Sequence, residues 1–455
     1  MYFLGDTICA IATPMGRGGV GIVRVSGPQA FALASLISRK NHLIPTFAPQ
    51  VLVSKFYHPQ TQELLDEGLL LIMTAPKSYT TEDVVEFQIH GSPFILSNFI
   101  KILTQQGCRL AEPGEFTYRA YRHGRIDLTQ AEAVETLVSA AGEVTAQQAL
   151  RQLSGGLSNF LEPLEELLKS LYLDIESRLE FSEDGIPPLD ETTFQQTLHQ
   201  TQTTIQTLIA SYAQGKILKQ GLTVTLAGPP NVGKSSILNH LLGNQRSIVT
   251  PLPGTTRDLI EGELFIHGIK IRFWDTAGLR KTRHLIEQEG IARSYQMIKE
   301  ADMIWWVADA SRSLSRTSLK VIQTLPADRT WFLLNKQDLV VHPSSLTFPF
   351  PENRCWNLSC KTQQGFDSLL NFLHQWVSGT VEGDQLMLLS IRHCLELETA
   401  LSHLKNINQL IQTHQPRELW AEELKEAVLA IGKIRGKNLQ EEAFEAIFKN
   451  FCVGK

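Results

Sequence analysis

A glycine-bracketed run, Gly228-Pro-Pro-Asn-Val-Gly-Lys-Ser-Ser236, stands between the apolar stretch Leu222-Thr-Val-Thr-Leu-Ala227 and the segment Ile237-Leu-Asn-His-Leu-Leu242. The first flank alternates like a buried strand and the second has helical spacing, so the Gly-x4-Gly-Lys-Ser pattern falls on a strand-loop-helix turn. Gly228 and Gly233 let backbone N–H groups turn toward an anion, and the start of the helix adds its partial positive charge. The predicted phosphate cradle is Asn231, Val232, Gly233, Lys234, Ser235 and Ser236. Within it Lys234 reaches for β- and γ-phosphates and the Ser235 hydroxyl is placed to hold Mg2+. A chance glycine loop is the alternative while this motif stands alone.

Three further signals stand at the spacing of G proteins. Asp275, Thr276, Ala277 and Gly278 close a predicted strand over 269–274, putting an acid near Mg2+ and a glycine N–H near the γ-phosphate. Asn335, Lys336 and Asp338 follow the apolar strand Trp331-Phe-Leu-Leu334. The Asp338 carboxylate can accept from both the N1–H and the exocyclic amine of guanine, a pair that adenine does not offer. Ser359, Cys360 and Lys361 resemble the base-supporting loop of GTPases, with a cysteine where alanine is usual. The expected nucleotide is GTP, with Mg2+.

With 455 residues, 43% of them hydrophobic, the chain has material for about three domains. No apolar run reaches the roughly 18 residues that span a bilayer, and the N-terminus shows no signal or transit pattern, so a cytoplasmic protein with no membrane association is expected. Six cysteines are scattered singly, without a Cys-x-x-Cys pair, which argues against a zinc site or a disulfide framework. A net charge of −5 makes no global case for nucleic acid. Locally, residues 101–125 carry five bases against two acids, a candidate RNA patch that reads equally as solvated surface.

The first 119 residues read as an α/β domain with strands at 7–12, 20–25, 66–73 and 84–89 and helices at 28–38 and 97–105. Residues 120–214 turn helical, with Leu164, Leu168, Leu171, Ile175 and Leu179 on one face, and Gly215–Gly221 reads as a linker. Residues 386–411 and 418–434 are again amphipathic. The predicted architecture is a multidomain α/β protein: an N-terminal domain over 1–119, a helical bundle discontinuous over 120–216 and 379–455, and a Ras-like P-loop GTPase domain inserted at 217–378, where a loop tolerates it.

Asp6-Thr-Ile-Cys-Ala-Ile-Ala-Thr-Pro14, Gly18-Gly-Val-Gly-Ile-Val-Arg-Val-Ser-Gly27, Ser78-Tyr-Thr-Thr-Glu-Asp83, His90-Gly91, Glu112-Pro-Gly-Glu-Phe-Thr117 and the ending Phe451-Cys-Val-Gly-Lys455 resemble the tRNA-modification GTPase family MnmE, also called TrmE. Thr81 and Ser92 depart from its usual glycines. The resemblance implies an N-terminal domain that forms a homodimer and binds 5-formyl-tetrahydrofolate or a related one-carbon tetrahydrofolate through Arg24, Glu86, Arg125 and Lys455, with Arg125 replacing the usual lysine. It also implies a K+ site at Asn231, Thr250, Leu252 and Thr255, the K+ standing in for an arginine finger, and Thr256 as the threonine that senses Mg2+ and the γ-phosphate. Leu279 follows the Asp-x-x-Gly motif and cannot polarise water; Glu287 matches the family's water-positioning glutamate, with Glu289 or an ordinary exposed helix residue as alternatives. Cys452 is either a nucleophile toward uridine C6 or a structural thiol. The implied function is a K+-stimulated GTPase that, with an FAD-bearing partner protein, helps add an aminomethyl or carboxymethylaminomethyl group at C5 of the wobble uridine of certain tRNAs. The rival is a ribosome-assembly GTPase without covalent RNA chemistry.

Overall fold

The computed structural model describes residues 4–40, 48–180, 187–244, 262–266, 268–275, 296–340, 350–381, 386–449 and 451–454. They divide into two compact units: residues 1–139, 149–206 and 392–455, and residues 140–148 and 207–391.

The first unit contains a sheet of six strands, β1 (Ile8–Ile11), β2 (Gly18–Ser26), β3 (Gln50–Tyr57), β4 (Leu64–Met73), β5 (Val84–Gly91) and β6 (Arg109–Leu110), in the order β3-β4-β5-β2-β1-β6. All neighbours are antiparallel except β1 and β6. Helices Ala30–Ser38 and Pro93–Gln105 bury Leu33, Ile37, Leu96, Phe99 and Leu103 against Val23, Val25, Val85 and Phe87. Strand side chains alternate between faces. The alternation that sends those valines and Phe87 inward therefore sends Arg24 and Glu86 to the other face, and the β2–β5 register sets these two opposite each other. β3 escapes a sequence reading because both of its faces carry apolar residues: Leu52 and Phe56 turn inward with Ser54, while Val51 and Val53, 61% and 70% exposed, turn outward.

The helical part of this unit includes Gly156–Glu180, whose Leu161, Leu168 and Ile175 are buried, and Arg417–Ile434, which packs along it. The predicted apolar stripe is there, most deeply buried at Leu168 and Ile175. Asp190 caps the next helix, Glu191–Ala210, its Oδ1 accepting from the Thr192 and Thr193 N–H groups. The helix after Ser390 begins at Ile391, later than the predicted 386, and Glu441–Phe448 is a helix that periodicity did not reveal.

Glu132 anchors an ion cluster in this bundle. Its carboxylate accepts from Arg392 Nε (3.0 Å) and Nη2 (2.7 Å) and pairs with His393 Nε2 at 2.5 Å, while Arg392 also donates to the Lys433 and Ile434 carbonyls. Burial pushes the Glu132 carboxyl up, but the charges and hydrogen bonds of His393 and Arg392 outweigh it and hold the group well below its ordinary value of 4.5. A carboxyl depressed on folding contributes stability that is whole above its unfolded value and is lost as pH falls toward the folded one. The melting temperature is thus expected to drop as pH falls from about 5 toward 3. Glu132→Gln should cost about 3 kcal/mol near neutrality by leaving the buried His393 and the partly buried Arg392 without their carboxylate, and its melting temperature should fall less steeply over that acid range. Parallel pH profiles for the two proteins would contradict this.

The second unit is built on β7 (Leu222–Ala227), β8 (Gly262–Ile266), β9 (Ile269–Asp275), β10 (Met303–Asp309), β11 (Thr330–Asn335) and β12 (Cys355–Asn357), in the order β12-β11-β10-β7-β9-β8. Every pair is parallel except β8–β9. A parallel sheet is covered on both faces, so its central strands read as continuous apolar runs. β10, Met-Ile-Trp-Trp-Val-Ala-Asp, is buried along its first six residues, and β11 along all six. The Gly215–Gly221 stretch read as a linker is instead mostly helical: Tyr212–Gln220 forms a helix that buries Ile217 and Leu218 beneath β7 and ends at Gly221. Its lysines and glutamine hid the short apolar face. No described helix is long and apolar enough to cross a membrane.

Candidate functional site

In the second unit the candidate residues gather at the carboxyl ends of β7, β10 and β11, where open parallel sheets bind ligands. The turn after β7 needs glycine twice. Gly228 stands at φ +140, and a Cβ there would lie 2.2 Å from the Val307 carbonyl oxygen; Gly233 stands at φ +98, and a Cβ would lie 2.3 Å from Asn335 Nδ2. Lys234, 5% exposed, opens the helix Lys234–Asn244 and donates through Nζ to the carbonyls of Gly228 (2.9 Å) and Pro229 (2.8 Å). The Lys234 ammonium thus lies inside the loop's curve, while Ser235 and Ser236 lie exposed at the helix start.

The Asn335–Asp338 segment reaches back to this loop. Asn335 Nδ2 donates to the Val232 carbonyl at 2.9 Å and its Oδ1 accepts from the Cys360 N–H at 3.3 Å. The Cys360 N–H is thus engaged by the Asn335 side chain, tying the two loops together. Ser359, fully buried, donates its hydroxyl to Asp338 Oδ1 at 2.6 Å and accepts from the Thr362 N–H. That leaves the exposed Asp338 carboxylate oriented, with acceptor capacity to spare. Lys361 is exposed beside this loop. Lys336 donates to the Asn231 carbonyl and to Asp309. Asp309 was not singled out from sequence, although an acid closing the apolar run 303–308 was the available signal.

Of Asp275 only the main chain is described; it ends β9 beside Leu226 at the root of the phosphate loop. Thr250, Leu252, Thr255, Thr256, Thr276, Ala277, Gly278, Leu279, Glu287, Glu289 and Lys455 lie outside the described residues. The cradle made by Gly228, Gly233 and Lys234 fits a polyphosphate, and the Ser235 hydroxyl and Asn231 amide are oxygen donors suited to hard cations.

A second constellation lies in the first unit. Arg24 Nε donates to Glu86 Oε1 at 2.8 Å and its Nη1 to the Gly454 carbonyl at 3.0 Å, which places the C-terminal tail against the sheet. The Arg24 guanidinium stands 5.9 Å from the Tyr79 ring centroid and 5.6 Å from that of Phe116; the Arg125 guanidinium stands 5.2 Å from Tyr79 and donates to the Ser78 carbonyl. Arg24, Glu86, Arg125 and Gly454 thus converge about Tyr79. Arg125 and Tyr79 also line a pocket of about 510 Å³ with Lys77, Thr81 and His123, and no carboxylate is among its lining residues. The Arg24–Glu86 pair outside the pocket lining and the cations Lys77 and Arg125 within it suit a ligand with an N–H edge at one end and carboxylates at the other. Cys452 is exposed, and its carbonyl accepts from the Gly114 N–H at 3.3 Å. Cys9, Cys108 and Cys394 are the buried thiols. Part of the basic run at 101–125 is internal: Arg119 is fully buried and bound to Asp6, Glu82 and Glu115, and Arg109 pairs with Asp6 and Glu115.

Two family models match the chain: the GTP-binding protein TrmE N-terminus over residues 7–125 and the MnmE helical domain over residues 128–452. The tRNA modification GTPase MnmE of Nostoc sp. (strain PCC 7120) is 37% identical over 455 residues, covering 99% of each chain. That of Carboxydothermus hydrogenoformans is 36% identical over 460 residues, again covering 99% of each. Among solved structures, the G domain of the T. maritima FeoB iron transporter matches 35% of this chain and 99% of its own, at 24% identity and a TM-score of 0.24. With two family models covering nearly its whole length and full-length relatives above one-third identity, the chain belongs to the MnmE family of tRNA modification GTPases.

Proposed function

We propose that the chain couples hydrolysis of GTP to GDP and phosphate to modification of the wobble uridine of certain tRNAs at C5, as a homodimer working with an FAD-bearing partner protein. The observation that carries the finer part of this reading is the convergence of Arg24, Glu86, Arg125 and the tail about Tyr79. Glu86, held by Arg24, accepts from the amino and ring N–H edge of a pterin, and Arg125 and Lys455 neutralise the glutamate end. A one-carbon tetrahydrofolate held there supplies the carbon unit. The exposure of Cys452 in the tail beside this site favours the nucleophile over the buried structural thiol.

In the nucleotide site Asp338 reads guanine, Lys234 meets the β- and γ-phosphates, and Ser235 with Thr256 holds Mg2+. Asn231 offers its amide oxygen to K+, together with Thr250, Leu252 and Thr255, and Glu287 orients the attacking water that Leu279 cannot. A ribosome-assembly GTPase would share the nucleotide site but gives the cluster about Tyr79 no role.

Two arms test the proposal. Calorimetric titration with 5-formyl-tetrahydrofolate should show binding that weakens at least about tenfold in Glu86→Gln, the loss of a hydrogen bond to a charged group; no binding by the unaltered protein would remove the folate reading. GTP hydrolysis should run at least about tenfold faster in KCl than in NaCl of equal ionic strength, as expected of a missing transition-state cation, and Asn231→Ala should erase the difference. Equal rates in the two salts would remove the K+ reading alone.

A further inference from the structure

Asp309 closes β10 and shares a register position with Asn335 in the parallel pair β10–β11. Both of its carboxylate oxygens are engaged. Oδ1 accepts from the Ser311 N–H (3.0 Å) and hydroxyl (2.6 Å), and Oδ2 accepts from the Lys336 ammonium at 2.8 Å. The same ammonium donates to the Asn231 carbonyl at 2.8 Å. The Asp309 side chain is 11% exposed and that of Lys336 31%, so the pair is partly withdrawn from water. Burial pushes the Asp309 carboxyl up, but its hydrogen bonds to Lys336 and Ser311 outweigh this and hold it below the ordinary range, so the anion faces the ammonium at neutral pH.

We propose that Asp309 is a positioning residue for guanine nucleotides: it pins the Lys336 ammonium onto the phosphate loop and so joins the loop that reads the base to the loop that cradles the phosphates. Asn231 and Lys336 both stand in the left-handed region, at φ +61 and +66, a conformation that non-glycine residues adopt at a cost. One ammonium spans these two disfavoured positions. A lysine head group is strongly hydrated and sits on a flexible stem, so without a fixed counter-charge it exchanges its carbonyl contact for water. Ser311 aims the carboxylate, the carboxylate fixes the ammonium, and the ammonium sets the Asn231 peptide before any nucleotide arrives. Binding is then spared the cost of ordering the two loops. Asn335 makes the neighbouring contact to Val232 without help from charge, which is why the Lys336 contact, and not the Asn335 contact, needs a partner on β10.

The test uses the full chain with Asp309→Asn, Asp309→Glu, Lys336→Met and the double variant Asp309→Asn/Lys336→Met. The readouts are fluorescent-GDP binding and dissociation, KM and kcat for GTP, and the melting temperature without nucleotide. Asp309→Asn should weaken GDP about tenfold, the scale of a charge-assisted hydrogen bond, mainly through faster dissociation. KM should rise by a similar factor with a smaller change in kcat, and the nucleotide-free melting temperature should hold. Asp309→Glu should recover part of the loss, and the double variant should bind no more weakly than Lys336→Met alone. Unchanged GDP affinity in Asp309→Asn, losses that multiply in the double variant, or a melting temperature that falls together with affinity would each overturn the proposal.

Discussion

Asp338→Asn is expected to raise KM for GTP by about 10³-fold and to make the protein prefer a xanthine nucleotide. A site built around hydrogen bonds to a ligand rejects a mismatched partner by large factors because buried or oriented polar groups are left facing one another unpaired. Here the mismatch has a direction. Ser359 is buried and gives its only hydroxyl proton to Asp338 Oδ1 at 2.6 Å, while its oxygen accepts from the Thr362 N–H. An asparagine at 338 satisfies Ser359 by turning its carbonyl oxygen that way, which points its NH2 group at the base. Guanine offers two donors there, so donor meets donor. Xanthine carries a carbonyl at C2 and accepts from the same NH2 group. Steady-state kinetics with GTP and XTP check this. A KM for GTP within about threefold of the unaltered value would show that Asp338 does not read the base, since even one hydrogen bond to a charged group is worth more.

The nucleotide half of the molecule was legible because its chemistry sits on local patterns. Strand, glycine turn and helix are contiguous over 222–242, and Asn335 to Asp338 lie within one turn of each other. β10 was not read although its apolar run is the longest in that sheet, and with it Asp309 was missed; a fully buried strand has no alternation to mark it. In the N-terminal sheet, spacing alone left Arg24 and Glu86 as two surface charges 62 residues apart. Only the β2–β5 register makes them neighbours, and only the return of the chain end puts the Gly454 carbonyl on Arg24. Resemblance named these residues, but their shared face is a property of the pleat. β3 shows a related limit: outward Val51 and Val53 alternate with inward Leu52 and Phe56, so apolar residues lie on both faces and no apolar–polar alternation marks the strand.

Lys234→Ala is expected to lower kcat/KM for GTP by about 10³-fold, the upper end of the 10²- to 10³-fold range for losing one preorganised donor to developing charge, because the full ammonium charge goes with it. The loss should not come from the fold. Alanine is a better helix former than lysine at the start of Lys234–Asn244, and the two carbonyls that lose their donor, those of Gly228 and Pro229, stand in a loop that water can reach. The nucleotide-free melting temperature should therefore hold while the rise caused by GDP shrinks, since ligand stabilisation falls with the logarithm of the dissociation constant. Arginine should not rescue. At 5% exposure the lysine head is enclosed by the loop, and a planar guanidinium with its fixed fork of donors has neither the shape nor the space to replace a point charge there. An active Lys234→Arg protein would mean that the cation acts from outside the curve of the loop, and that the two carbonyl contacts are not what aims it at the phosphates.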